Sequence, residues 1–255
     1  MCGVDRLPPV CTASSFSILI SIFPLNHHDL VWTDTELGEV LRKGEEALNV
    51  RFNPAIRTAL LHDASQNVGL LQRLAERLCF ECGVLESATE LIEIGDADSL
   101  ARTRTFICRA EKQRYRQFSD AVTRGFKEYE ESELKVYEHI VRVCVEASDQ
   151  ELRQGIPKDV LLRRMKEHQP RVRMSDLSAA LNKIDRLQSE REISPLVLTF
   201  SGRSVSLVDR ELLFFRRYGE PMWPWLDAAT EIGQIVAQEP KLLTSGEPKD
   251  PGTTK

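Results

Sequence analysis

Seven side chains in the second half of the chain have the types and spacing to meet an anionic polymer: Arg171, Arg173, Ser178, Asn182, Lys183, Arg186 and Arg203. Guanidinium and ammonium groups pair with phosphate, and Ser and Asn bond base edges or phosphates. Ser178, Asn182, Lys183 and Arg186 fall on the exposed face of one predicted helix. Arg171 and Arg173 sit in the turn before it, and Arg203 sits at the tip of a predicted hairpin, where all three can reach phosphates. The expected partner is duplex DNA. Asp176, Asp185, Glu190 and Glu192 lie close by and would repel phosphate, so a protein-facing role stands beside DNA contact as the alternative.

Other reactive groups are placed less tellingly. Cys79 and Cys82 form one C-x-x-C, but a zinc site usually takes four ligands and no second pair exists. His27 and His28 sit on a polar turn and read as solvated. Six cysteines scattered from Cys2 to Cys144 make no disulfide framework and fit a reducing cytoplasm. The chain has no G-x-x-x-x-G-K-[ST] phosphate loop, and its Ser, His and Asp residues are scattered without a catalytic spacing. No enzyme activity, metal or cofactor is therefore expected.

Charge divides the chain. Residues 29–100 hold six bases against fourteen acids, a net of −8, whereas 156–217 hold thirteen against eight, a net of +5. The overall charge of −5 hides this split, which points an anionic partner at the second half only. The apolar run ASSFSILISIF, 13–23, falls short of the ~20 residues that span a bilayer. No basic region precedes it, so it reads as a β-rich strand. No membrane partner is expected.

The candidate residues depend on helices and one hairpin. Thr33-Asp34-Thr35-Glu36 is a capping box, and the helix after it turns Leu37, Val40, Leu41 and Leu48 inward. Asn53-Pro54 opens a second helix with Ile56, Leu60 and Leu61 inward. A third runs through Leu70, Leu71, Leu74, Leu78 and Cys79 and stops at Gly83. Acidic residues 84–100 end in the turn-rich GDADS. Residues 101–132 form a connecting helix with Phe106, Tyr115, Phe118, Val122 and Phe126 buried.

From 133 the predicted order is a helix over 134–147, a second bounded by Pro157 and Pro170, and a third capped by Ser175. Leu177, Ala180, Leu181, Ile184 and Leu187 form its buried stripe. The hairpin LVLTFSGRSVSLVD, 196–209, follows, with Gly202 in its link. DRELLFFRRY closes with a fourth helix. Helix, helix, helix, hairpin is the order of the winged helix-turn-helix, whose later helix enters a major groove while the wing lies beside it. The strap GEPMWPWLDAA is expected to pack back on the surface, and the tail to be disordered.

TDTELGEVLRKGEEALNVRFNPAIRTALLHDASQNVGLLQRLAERLC, 33–79, resembles the helical lid that follows the nucleotide core of AAA+/STAND-type ATPases. Residues 114–144 and the winged helix after them resemble the C-terminal regions of bacterial AAA ATPases of origin-recognition-like organisation. The likeness covers roughly 30–225. It implies a mainly α fold: a three-helix lid-like bundle over 29–100, a connecting helix over 101–132 and a winged-helix domain over 133–220. A leader or remnant strand over 1–28 and a strap and tail over 221–255 flank them. It also implies a sensor arginine, for which Arg73 is the candidate. The chain departs from the family in lacking the phosphate loop. The resemblance thus implies a non-catalytic C-terminal half, or an ATPase whose core is upstream or on another chain.

Overall fold

The Thr33–Glu36 capping box closes in the computed structural model, which describes residues 32–125, 134–220 and 223–226. The Glu36 amide donates to the Thr33 hydroxyl at 3.2 Å and the Glu36 carboxylate accepts the Thr33 amide at 2.8 Å. Helix α1 (Asp34–Leu48) follows, with Leu37, Leu41 and Leu48 buried and Val40 half-buried. Asn53 caps α2 (Pro54–Ala64) by accepting the Ile56 amide at 2.8 Å, and Asn67 caps α3 (Val68–Glu81) by accepting the Leu70 amide at 3.0 Å. Leu60, Leu70, Leu71, Leu74 and Leu78 meet in the core of this bundle.

Two short strands were not legible as such. β1 (Val50–Phe52) and β2 (Ile92–Ile94) pair in parallel, in the register Val50↔Ile92, Arg51↔Glu93 and Phe52↔Ile94. Asp96 then caps α4 (Ala97–Arg124), a helix of 28 residues, so the expected boundary at 100 falls in its first turn. Its buried stripe is Leu100, Thr103, Ile107, Tyr115, Phe118 and Val122. Phe106, expected to be inward, is 47 % exposed because it lies one position round the helix from that stripe.

In the second half, α5 (Val136–Glu146), α6 (Asp149–Gln154), α7 (Lys158–His168), α8 (Met174–Leu181), α9 (Ile184–Glu190) and α10 (Glu211–Tyr218) surround a small antiparallel sheet. Its three strands are β3 (Ile156–Pro157), β4 (Leu198–Phe200) and β5 (Ser204–Leu207), in the order β3-β5-β4. The expected hairpin forms, pairing Leu198↔Leu207 and Phe200↔Val205. Gly202 takes a φ of +87°, the sign a II′ turn needs at its first central position. β5 also pairs with β3, which the sequence reading did not include. Gly155 makes this possible, because a Cβ there would come within 2.7 Å of Ser206 Oγ and 2.9 Å of Ser204 Oγ.

The predicted third helix of this half is two helices, and Ser175 is not its cap. The chain enters α8 at Arg173, whose amide donates to the Asp176 carboxylate at 2.9 Å. At its end the Lys183 amide reaches back only to the Ala180 carbonyl, at 3.1 Å, and α9 starts afresh at Ile184. Such tightening ends a helix, and Asn182 stands at the C-cap, where Asn is tolerated better than in a helix interior.

The described residues up to Glu220 belong to one compact unit, and residues 223–226 belong to another. In the first, α4 packs against both halves and α10 adds a second tie between them. Arg73 of α3 pairs with Glu211 at 2.9 Å, Arg210 donates to the Gln66 side chain at 2.5 Å, and the Tyr218 hydroxyl donates to Asp63 at 2.8 Å. In the second unit, Trp223 and Trp225 stack at 5.7 Å. Residues 1–28, with His27 and His28, as well as Phe126 and the tail after Leu226, lie outside the described residues. No helix among the described residues is long and apolar enough to cross a membrane.

Candidate nucleic-acid interface

The surface on which the candidate residues lie is built by α7, α8, α9 and the β4–β5 hairpin. Leu161 and Met165 bury one side of α7, and Leu177, Ala180 and Leu181 bury one side of α8. The turn between these helices is pinned by Val172, which is 1 % exposed, while its neighbours Arg171 and Arg173 are both exposed. An inward middle residue in an extended turn sends its two neighbours outward, and this local geometry displays both guanidinium groups.

Ser178 is half-buried and its hydroxyl donates to the Met174 carbonyl of its own helix at 2.7 Å, leaving an oxygen able to accept. Asn182 is exposed at the end of α8. Lys183 is half-buried at the break and lines a cavity of about 260 Å³ together with Arg124, Lys135, Tyr137 and Asp176. Arg186 stands on α9 with its side chain 72 % exposed and pairs with Glu190 at 2.6 Å. Ser178 and Arg186 thus belong to two helices rather than to one continuous face.

Arg203 is exposed at the hairpin tip, and its carbonyl accepts the Lys158 amide at 3.0 Å. That bond fixes the tip against the start of α7, which brings a second base to the same end of the sheet. The neighbouring acids have local duties. Asp176 closes the entry to α8, and Asp185 accepts the Thr199 hydroxyl at 2.8 Å, against β4. Glu190 is held by Arg186, and Glu192 is exposed.

Three residues that sequence reasoning passed over hold this surface in place. Gln188 is fully buried and clamps the outer edge of β4. Its carbonyl oxygen accepts the Val197 and Leu198 amides at 2.9 and 3.1 Å, and its amide donates to the Leu198 carbonyl at 2.7 Å. Asp209, 4 % exposed, accepts from Tyr115 at 2.7 Å and from Arg114 at 2.6 Å. Burial, and then the Asp209 charge, hold the Tyr115 hydroxyl well above its ordinary pKa, so it stays a donor. Glu151 caps α6 and is paired with Arg164. The Arg164 hydrogen bond and then those from Ser148 bring its pKa down to about 2. Only the S-x-x-E pattern at Ser148 carried a sequence signal for any of these.

Arg73, the sensor candidate, is held between Glu111 at 2.6 Å and Glu211 at 2.9 Å. Its guanidinium thus joins α3 to α4 and α10. Of the C-x-x-C pair, Cys79 is fully buried and Cys82 half-buried. Burial raises the thiols of Cys79 and Cys144 to about 12 and that of Cys108 to about 11, so all three are protonated at neutral pH. Among the described residues no group of three His, Cys, Asp or Glu side chains is placed to hold a metal. No protein-family model, curated protein or solved structure matches the chain.

Proposed function

We propose that this chain is a non-catalytic DNA-binding and regulatory module of winged-helix design, corresponding to the C-terminal half of an AAA+/STAND-type ATPase of origin-recognition-like organisation. The observation that carries the reading is the sheet order β3-β5-β4, with β3 between α6 and α7 and the hairpin after α9. A strand just ahead of the helix-turn-helix α7–α8, paired to the hairpin that follows α9, is the connection a winged helix needs. In this reading α8 lies along the major groove, Arg171 and Arg173 hold phosphates at its start, and Arg203 holds one from the wing. Lys183 and Arg186 are the bases expected at or near the groove edge. The lid-like bundle is joined to this module through α4 and α10.

Five such bases on phosphate would give a slope of log K against log salt of about −4.5. The test is fluorescence anisotropy on a 20-base-pair duplex at rising salt. It compares the wild type with the Lys183→Ala/Arg186→Ala and Arg171→Ala/Arg173→Ala pairs. Each pair is expected to flatten the slope by up to about 2. Equal weak binding by all three proteins, or none at low salt, overturns the reading.

A protein-facing role is the second reading. It is favoured by the Arg186–Glu190 pair and by Met174, a large apolar residue 38 % exposed at the start of α8. Under it, the acids near α8 and α9 face a partner protein, which includes the nucleotide core of an ATPase on another chain. A pull-down partner lost on Met174→Glu, with duplex DNA left unbound, would select it.

A further inference from the structure

We propose that the outer edge of β2 is a docking surface for an extended, basic peptide segment of a partner protein, which adds to the β1–β2 pair as a third strand. The backbone of β2 has a defined inner and outer side. The Ile92 amide donates to the Asn49 carbonyl at 3.2 Å, and the Ile94 carbonyl accepts the Asn53 amide at 2.9 Å. The even-numbered residues of β2 therefore turn their amides and carbonyls toward β1, and Glu93 turns its own away. Neither backbone group of Glu93 has a partner among the described residues.

Two other sheet edges in the molecule are closed by side chains. On the far side of β1, the Phe52 amide donates to the Glu45 carboxylate at 2.9 Å. On the far side of β4, Gln188 takes both backbone groups of Leu198. An open edge is a template for a further strand, and proteins commonly blunt or cover it. Parallel strands are also normally covered on both faces, whereas Leu91 and Ile92 are 48 % and 38 % exposed here, and Leu85 is 60 % exposed.

Charge says which segment fits. From Val84 to Leu100 there are five acids, Glu86, Glu90, Glu93, Asp96 and Asp98, and no base. Asp96 is used in capping α4, but Glu86, Glu90 and Glu93 are exposed beside the strand. Arg51 stands opposite Glu93 on β1, yet none of these three glutamates forms an ion pair among the described residues. A strand alternating Lys or Arg with Val or Ile meets both demands. Its main chain bonds the Glu93 amide and carbonyl, its apolar residues cover Leu91 or Ile92, and its bases meet the glutamates.

The test uses the full chain and a fluorescein-labelled octapeptide of alternating lysine and valine, read by anisotropy and by hydrogen exchange at Glu93. Expected are binding, slower exchange of the Glu93 amide, and at least tenfold weaker binding of a glutamate–valine peptide. The lysine peptide N-methylated at its valines should also lose at least tenfold, because it cannot form the main-chain bonds. Glu93→Pro should do the same, because Pro removes the outward amide and leaves the bonds to β1 intact. The N-methylated arm leaves the protein untouched, so a fold defect in Glu93→Pro does not decide the matter. No binding, equal binding of the N-methylated or the acidic peptide, or unchanged exchange at Glu93 would overturn the proposal.

Discussion

Replacing Gln188 by Met keeps the length and shape of a fully buried side chain and removes its polar end. Val197 and Leu198 then lose the acceptor of their amides, and the Leu198 carbonyl loses its donor. These groups cannot turn to β5, because Leu198 faces Leu207 and the bonds to β5 run through its neighbours; the Val208 amide donates to the Val197 carbonyl at 2.9 Å. Three orphaned backbone groups at the low end of the usual penalty, about 1 kcal/mol each, give a loss of about 3 kcal/mol. This is a large part of the roughly 5–15 kcal/mol that holds a domain together. Urea unfolding followed by circular dichroism should show the midpoint falling by about 1.5 M for a slope near 2 kcal/mol/M. Hydrogen exchange should quicken across 197–207 more than across α1 to α3. A loss under about 1 kcal/mol, with the hairpin amides as protected as before, would refute the claim that Gln188 holds the wing.

Other outcomes follow from the same contacts. Asp209→Ala strands the Tyr115 hydroxyl and the Arg114 guanidinium and should cost about 3–4 kcal/mol in urea unfolding, while Asp209→Asn, which keeps an acceptor for Tyr115, should cost clearly less. Arg73 is more than a third exposed, so its coupling to Glu211 in a double-mutant cycle of Arg73→Ala and Glu211→Gln should be about 1 kcal/mol; a coupling of zero would remove this pair as a tie between the halves. Glu151 has its folded pKa lowered from 4.5 to about 2, so its pairing stabilises the fold above pH 4.5 and is lost as pH falls toward 2. The stability gap between the wild type and Glu151→Gln should therefore shrink across that window, and a gap constant with pH would contradict the assignment.

Much of the local architecture is written in short-range chemistry. Thr33 with Glu36, and Asn53 with Pro54, mark helix starts through groups three residues apart or adjacent. The leucines of α1 and α3 repeat at helical spacing, and the alternation around Gly202 makes a hairpin. Each of these signals is read within one turn of helix or one pair of strands, so the sequence by itself determined them. The exposed Arg171 and Arg203 were legible for the same reason, since a turn and a hairpin tip present their residues outward.

What only the tertiary structure decided lies in partners distant along the chain. β1 and β2 stand about forty residues apart and are three residues long, too short for alternation to distinguish them from an acidic loop. The ion pair of Arg73 was out of reach for the same reason, since its partner Glu211 is 138 residues away. The stripe of α8 and α9 has the period of one helix, yet the chain breaks at Asn182 and Lys183, where Gln188 docks on β4 and Asp185 on Thr199. A hydrophobic period fixes which residues turn inward; hydrogen bonds across the fold fix where the helix stops, which sheet edge is closed and which has no partner among the described residues.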